Sequence, residues 1–192
     1  MHNAMSLSLK GFGLLFALFA CVSTESRQLV PRDLHDAVRH SGGVSIIKGV
    51  PSMRFQDIGP AIDPVAVKAW EHENGCQIPD PYKLFLFQRN GGEPERRAFK
   101  FQRQSGHWTS ETFDRFAGLG GDYDLGYLFR TYVARDRIPL DLFPVGSVEG
   151  GGLLLMGKPG PRLGKVYFWD HEFEAPEGAP PTEDNIYFLA DS

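Results

Sequence analysis

The first clear pattern of hydrophobic and polar positions follows Pro60 and has the period of an α-helix. Its apolar positions recur every four residues, at Ile62, Ala66 and Trp70. Because residues four apart lie on the same side of a helix, this spacing predicts one apolar face against a core. Asp63-Pro64 suits the helix start, since the carboxylate accepts backbone N–H bonds and proline has no N–H to lose. Gly75 suits its end, because glycine accepts the left-handed conformation.

A second helical pattern begins at Asp80-Pro81, where the same pairing of a carboxylate with a proline predicts a helix start. Its apolar side is formed by Tyr82, Phe85 and Leu86, spaced by three or four residues. The run Asn90-Gly91-Gly92 predicts its end. We therefore expect a hairpin of two helices, with Trp70, Tyr82 and Phe85 largely buried.

The rest of the chain shows the alternation of β-strands and one more helical stretch. Phe99 and Phe101 alternate with polar residues, which predicts a half-buried strand. The predicted strands are 97–103, 142–148, 153–157, 165–171 and 185–190, with a weaker candidate at 113–119. Asp124 is suited to cap a third helix whose apolar side includes Leu125, Leu128 and Tyr132. This partial segregation of helices and strands predicts an α+β fold, a mainly antiparallel sheet with helices packed on it.

Composition limits the size and the partners of this fold. The chain has 192 residues, of which 42% are apolar, enough for one domain with a core and some appended sequence. Its formal net charge is -4, and it contains no run of Lys and Arg. Direct binding to nucleic acid therefore has no electrostatic support.

The amino-terminal segment has a different character. After Lys10 comes an uncharged run that is too short to span a bilayer but has the length of a signal-peptide core. It ends in a sequence similar to a lipoprotein cleavage box, in which Cys21 would be lipidated and would provide the one link to a membrane. We interpret residues 1–30 as a leader and polar spacer, and residues 31–53 as a connector with a short helix. In this interpretation the protein is exported or a lipoprotein.

The alternative is a misassigned start codon, with Met5 or Met53 as the true first residue. In that case we expect a cytoplasmic protein. The two cysteines do not decide between these interpretations, because two are too few to indicate a disulfide framework.

Charge is unevenly distributed, since no Lys or Arg follows Lys165 while seven carboxylates do. Such a run is typical of a solvated face. The alternative is a surface that steers a basic protein partner, such as a basic nuclease. The candidate partner-binding residues are Asp170, Glu172, Glu174 and Glu177. In this hypothesis they line an exposed concavity or rim and do not pair with Arg130, Arg135 or Arg137.

Asp170-His171-Glu172 is the one cluster that suggests acid/base or metal chemistry. On a strand the two carboxylates would lie on one face and the histidine on the other, so the three would not converge. His72 has no second histidine at metal-ligand spacing, and no nucleophile or phosphate-binding motif is complete. We expect no enzymatic activity, no metal and no cofactor; a hydrolase that uses this cluster is the distant alternative.

The order and spacing of several motifs resembles the SUKH superfamily of Smi/Knr-type domains. The motif residues are Trp70, Glu71, Gly75, Pro79, Tyr82, Phe85, Asn90, Gly91 and Gly92, followed by Trp169 within the stretch from Gly164 to Glu172. The resemblance implies a single α+β domain over residues 54–192. It also implies a binding function, because bacterial members are mostly immunity proteins that neutralise toxins, often nucleases. Fungal members are scaffolds in cell-wall assembly and signalling, and the family has no known catalytic residues.

The leading hypothesis is therefore a non-enzymatic immunity protein whose partner is a secreted toxin, and the alternative is a scaffold or regulatory domain of the same fold. The chain departs from the family at its end, because relatives usually continue into a Phe-rich final helix. Either the sequence is truncated, or its sheet leaves an apolar face that needs another cover. The second case would favour a homodimer.

Overall fold

The structure, a computed structural model, describes residues 53–191. The expectations about the leader, the lipidation of Cys21 and the short helix before residue 53 concern residues outside this range. Within it the chain begins with β1 (Phe55–Gln56), which pairs antiparallel with β2 (Glu93–Pro94) in a small two-stranded sheet. The helix hairpin lies between these two strands in the sequence.

Helix α1 (Pro64–Asn74) begins and ends as the sequence predicts. The Asp63 carboxylate accepts the backbone N–H of Ala66 at 2.8 Å, and Gly75 closes the helix in the left-handed conformation, with φ of 59°. Its buried face differs from the prediction, because Val67 is buried and Ala66 is exposed. The reason is that Ile62 precedes the helix and so does not set its register. Val67 shares the face of Trp70, three residues on.

Helix α2 (Asp80–Arg89) buries Tyr82, Phe85 and Leu86, which confirms its predicted apolar side. The expectation that Asp80 caps this helix is wrong. Pro79 is the capping residue, without a side-chain bond, and the Asp80 carboxylate pairs with Lys83 Nζ at 3.1 Å within the first turn. Asn90 ends the helix in the left-handed conformation.

The main sheet has six antiparallel strands, each paired with the next in the sequence. They are β3 (Ala98–Gln102), β4 (Trp108–Phe116), β5 (Leu142–Val148), β6 (Leu153–Gly157), β7 (Lys165–Trp169) and β8 (Ile186–Asp191). Together with the helices they confirm the predicted α+β class and the mainly antiparallel sheet. The weak candidate at 113–119 belongs to a strand that starts five residues earlier and ends at Phe116.

The third predicted helix begins after Asp124, whose carboxylate accepts the backbone N–H of Gly126 at 2.7 Å. It is a short α-helix, α3 (Leu125–Leu128), that continues as a π-helical turn over Phe129–Val133. Leu125 and Leu128 are buried, as predicted.

The core lies on both faces of the sheet. On one side the edge strands β3 and β8 approach each other, and the rings of Phe101 and Tyr187 are 4.7 Å apart. Helical segments also pack on the sheet, where the ring of Trp70 lies edge-on against Phe143 and the ring of Tyr132 edge-on against Trp169. Tyr82 and Phe85 are fully buried as predicted, and Trp169 is fully buried as well. Trp70 is only half-buried and packs edge-on against Phe129 and Phe143.

Candidate functional site

Asp170, the first of the predicted partner-binding carboxylates, lies at the end of β7 and is only 5% exposed. Its Oδ2 is 3.3 Å from Arg103 Nη1, and its Oδ1 accepts the backbone N–H of Glu172. The expectation that Asp170 is exposed for a partner is therefore wrong. The strand ends one residue before Asp170, so its carboxylate turns inward and caps a 3₁₀ turn over His171–Phe173.

The Asp170-His171-Glu172 cluster does not form the alternating strand that the sequence predicted. His171 and Glu172 are exposed on the 3₁₀ turn, while Asp170 is held by Arg103. Within residues 53–191 no group of three or more His, Cys, Asp and Glu side chains could hold a metal ion. The arrangement gives Asp170 a structural role in closing the end of the sheet.

Arg103 packs against three aromatic rings at this end of the sheet. Its guanidinium lies over the rings of Phe101, Phe173 and Tyr187, at 5.4, 5.5 and 5.9 Å from their centroids. Nearby, burial raises the pKa of Glu111, and the negative charge of Asp170 adds to that rise. The negative charges here are thus only partly compensated by Arg103.

Glu174 is held by Arg137 in a bidentate ion pair, with Nε–Oε1 of 2.6 Å and Nη2–Oε2 of 2.7 Å. The expectation that this carboxylate does not pair with Arg137 is wrong. The guanidinium also lies 4.5 Å from the ring centroid of Tyr132, which packs edge-on against Trp169. The hydrogen bonds that Arg137 donates to Glu174 raise the pKa of Arg137, so this cation stays charged under all ordinary conditions.

A second arginine, Arg162, makes a similar arrangement with a glutamate nine residues after Glu174. Arg162 Nη2 donates to Glu183 Oε2 at 2.5 Å, and Arg162 Nε lies 3.1 Å from Asp141 Oδ2. Its guanidinium lies over the ring of Tyr167, 5.3 Å from the centroid. We call the segment from Glu174 to Glu183 the strap. An Arg–Glu pair holds it at each end, to the loop before β5 through Arg137 and to the loop before β7 through Arg162.

The strap borders a concavity with a volume of about 1210 Å³. The opposite wall is the turn that follows the π-helical segment. The lining residues are Arg135, Asp136, Arg137, Ile138, Leu140 and the stretch from Glu174 to Pro181. Leu140 is 72% exposed there, and Glu177 lies exposed at the outer part of the strap. We call this concavity the strap groove. Of the four predicted partner-binding carboxylates, Glu174 and Glu177 border it, while Glu172 lies exposed just before it.

The signature run after α2 has a structural role. Asn90 is 2% exposed, and its Nδ2 donates to the carbonyls of Pro60 at 2.7 Å and Leu119 at 3.0 Å. At Gly91, where φ is +88°, a Cβ would lie 2.9 Å from the Phe116 carbonyl oxygen. Gly92 forms an isolated bridge with Phe116, with backbone bonds in both directions. These residues join the helix hairpin to the end of β4.

Glu71, another motif residue, locks the turn between the two helices. Its Oε1 accepts the backbone N–H of Ile78 at 2.9 Å and lies 2.9 Å from Lys83 Nζ. One carboxylate therefore satisfies a backbone donor in the turn and a cation on α2.

The sheet also leaves an exposed aromatic residue on its last strand. Phe188 is 54% exposed and packs edge-on against half-buried Tyr167. Leu163, on the loop before β7, is also largely exposed. That a second copy of the chain covers this patch in a homodimer stays a prediction. None of the helices within residues 53–191 has the length and apolarity needed to cross a membrane.

The two arginines that hold the strap were not identified as site residues from the sequence. Arg137 enters the sequence analysis only as an arginine that the carboxylates are expected not to contact, and no local pattern marks Arg162. A usable signal exists in retrospect, because Glu174 and Glu183 flank a stretch with three prolines. Carboxylates at both ends of a proline-rich loop have few local partners and tend to find cations elsewhere in the fold.

These features define an α+β domain in which a helix hairpin is tied to an antiparallel sheet. The chain belongs to the SMI1 / KNR4 family (SUKH-1), whose family model matches residues 61–192. Residues 25–50, before the described range, match a second family model, described as a nuclease of the HNH/ENDO VII superfamily with conserved WHH.

Among curated proteins the chain is similar to the SPbeta prophage-derived uncharacterized protein YokK of Bacillus subtilis (strain 168). The two are 29% identical over 126 residues, a match that covers 58% of this chain and 63% of the relative. The chain thus spans less than two thirds of the length of that relative. No solved structure matches the chain significantly.

Proposed function

We propose that this chain is a non-enzymatic immunity domain that binds and neutralises a protein toxin, and that the toxin is a nuclease of the HNH class. The observation that carries the proposal is the adjacency of two family matches in one reading frame. A nuclease-type match ends at residue 50, and the SUKH match begins at residue 61. A toxin-type sequence directly before a SUKH domain supports a pairing of these two classes of protein.

Electrostatics supports the same partner class. A nuclease neutralises phosphates with cationic side chains, so its substrate face is basic. The chain carries a net charge of -4 and has no Lys or Arg after Lys165. Opposite potentials accelerate the encounter of two proteins and disfavour wrong partners. The prophage relative is compatible with the proposal.

The geometry does not favour the hydrolase alternative for the cluster after β7. Asp170 has both carboxylate oxygens engaged, by Arg103 and by the backbone of Glu172. A general base needs a carboxylate that can reach a substrate proton. A protein-binding role uses the exposed carboxylates beyond this point instead.

The compartment follows from the partner. Neutralisation of a nuclease that reaches the cytoplasm requires the domain in the cytoplasm, which is the compartment expected if the start codon is misassigned. If Cys21 is lipidated, the domain acts outside and the toxin is one that works there. Fractionation of cells that express the full chain, with a Cys21→Ser control, distinguishes these two cases.

The direct test is co-expression with an active nuclease of the HNH/ENDO VII class, the class that the sequence before the domain matches. We expect the full chain to restore growth of a host that expresses the active nuclease. We also expect the purified proteins to form a stable complex that no longer cleaves DNA. Continued killing, with no complex in size-exclusion chromatography, would contradict the proposal; binding without loss of nuclease activity would point to the scaffold alternative.

A further inference from the structure

We propose that the strap groove is the surface that receives the partner, and that its occupant is an extended, cationic segment of the nuclease. This inference rests on the proposed function and assigns it to a particular surface. The groove lies between the turn 135–140 and the strap, and it is accessible from solvent.

The groove keeps its shape without a partner, because the strap is fixed at both ends. Arg137 binds Glu174 in a bidentate pair, and Arg162 binds Glu183. Between these anchors Pro176, Pro180 and Pro181 restrict the backbone. An ordered groove loses less conformational entropy when a partner enters, so more of the contact energy is retained as affinity.

The size and lining favour a protein segment over a metabolite. The volume of about 1210 Å³ is above the range of roughly 300–1,000 Å³ that is common for small-molecule pockets. Its lining combines exposed Leu140 and the proline side chains with charged side chains, which we call the rim. A combination of apolar and charged surface is the usual anatomy of a protein interface.

The charge of the rim selects a cationic occupant. Arg137 and Glu174 neutralise each other. The remaining charges of the lining are two negative ones, on Asp136 and Glu177, and one positive one, on Arg135. Glu172, exposed just before the strap, adds a further negative charge at its entrance. A segment with Lys or Arg side chains on either side of an apolar residue would match this pattern, with the apolar residue against Leu140.

The first experiment measures affinity for an HNH-type nuclease that the chain neutralises in the co-expression test, with its catalytic histidine replaced so that it can be purified. Glu177→Lys reverses a charge of the groove lining, and Leu140→Asp replaces its exposed apolar side chain. Both positions are exposed and carry no described core contact. The matched controls are Glu95→Lys and Ile58→Asp, also exposed but outside the groove lining. We expect each groove variant to raise Kd about ten-fold or more and each control to change it by less than about two-fold.

The second experiment locates the interface without substitutions. Hydrogen exchange of the full chain, with and without the same nuclease, should show protection in peptides that cover 135–140 and 174–183. Protection on β8 around Phe188 instead, or groove variants that bind like wild type, would overturn the groove assignment while leaving the proposed function intact. The absence of any complex would overturn both. Protection of the groove in the free protein on raising its concentration would show that a second copy is the occupant, and would overturn the inference.

Discussion

The side chain of Asn90 pairs with the backbone of Leu119 in both directions. Its Oδ1 accepts the Leu119 N–H at 2.7 Å, while its Nδ2 donates to the Leu119 carbonyl at 3.0 Å. An amide side chain here does what a neighbouring strand does in a sheet: it satisfies a donor and an acceptor of one residue. Because Asn90 also tolerates the left-handed backbone that ends α2, one residue terminates a helix and fixes a loop 29 positions away.

We expect Asn90→Ala to lower the free energy of unfolding by about 2 to 4 kcal/mol, because three buried backbone groups lose their partner. Alanine also fits the left-handed conformation poorly, so Asn90→Gly separates the two effects. Glycine should recover at most about 1 kcal/mol of the loss. Urea denaturation measures the change, with exposed Gln88→Ala as the control. A glycine variant as stable as wild type would mean that the hydrogen bonds of Asn90 contribute nothing.

Phe85 is the best single test of the core between α2 and the sheet. Its ring is stacked on Tyr82 at 5.3 Å and lies 4.8 Å from Phe116. Truncation to Ala should cost about 3 to 5 kcal/mol, as is usual for buried aromatic residues. Phe188→Ala, at a half-exposed position, should cost about 1 kcal/mol or less. An unchanged melting temperature for Phe85→Ala would contradict the placement of α2.

Asp170 and His171 test the assignment of a structural role to the cluster after β7. Asp170→Asn removes the charge that Arg103 faces and should destabilise the fold by about 1 to 3 kcal/mol. His171→Ala changes an exposed side chain and should stay within about 0.5 kcal/mol of wild type. Thermal denaturation of both variants provides the comparison. Equal stability of Asp170→Asn and wild type would remove the structural account and reopen the question of a chemical role.

Tyr123 should make the free energy of unfolding depend on pH in the alkaline range. Burial raises its pKa from 10.0 to about 12. The folded state therefore holds this proton more tightly than the unfolded state. The resulting stabilisation is fully present below pH 10 and is lost as the pH rises toward 12. Tyr123→Phe removes this titration, so the variant should lose less stability than wild type over that interval, by about 2 kcal/mol. Parallel pH dependences of the two proteins in guanidinium denaturation would show that the phenol is not shielded in the fold.

Local signals in the sequence were sufficient for the helices and most strands, because their causes are local. Asp63, Gly75 and Asn90 act within one turn of the helix they delimit, and the alternation of Phe99 and Phe101 is visible without any partner. The errors at the predicted site lie where a distant residue decides. Asp170 was expected to face solvent, and Arg103, 67 positions earlier, holds it inside.

The same reasoning explains what was missed at the site. Glu174 and Arg137 are 37 positions apart, and Arg162 and Glu183 are 21 apart. No periodicity links such pairs. The charge pattern therefore predicted an acidic carboxyl-terminal region, but not which of its carboxylates form ion pairs within the domain. Glu172 and Glu177 keep the exposure that the hypothesis of a steering surface requires.

The strap offers a last test that needs no partner. If Arg137 holds Glu174, the strap should resist cleavage by a protease that cuts after glutamate, even though Glu177 is exposed. Glu174→Gln weakens this anchor by replacing a charged bidentate pair with a neutral one. We expect cleavage after Glu177 to become several-fold faster, with little change in global stability, because the pair is partly exposed. Glu172→Gln, two residues earlier and exposed, is the matched control and should be cleaved at the wild-type rate. Equal rates for all three proteins would show that the strap is not held by the Arg137–Glu174 pair, and would remove the argument that the groove is ordered before a partner binds.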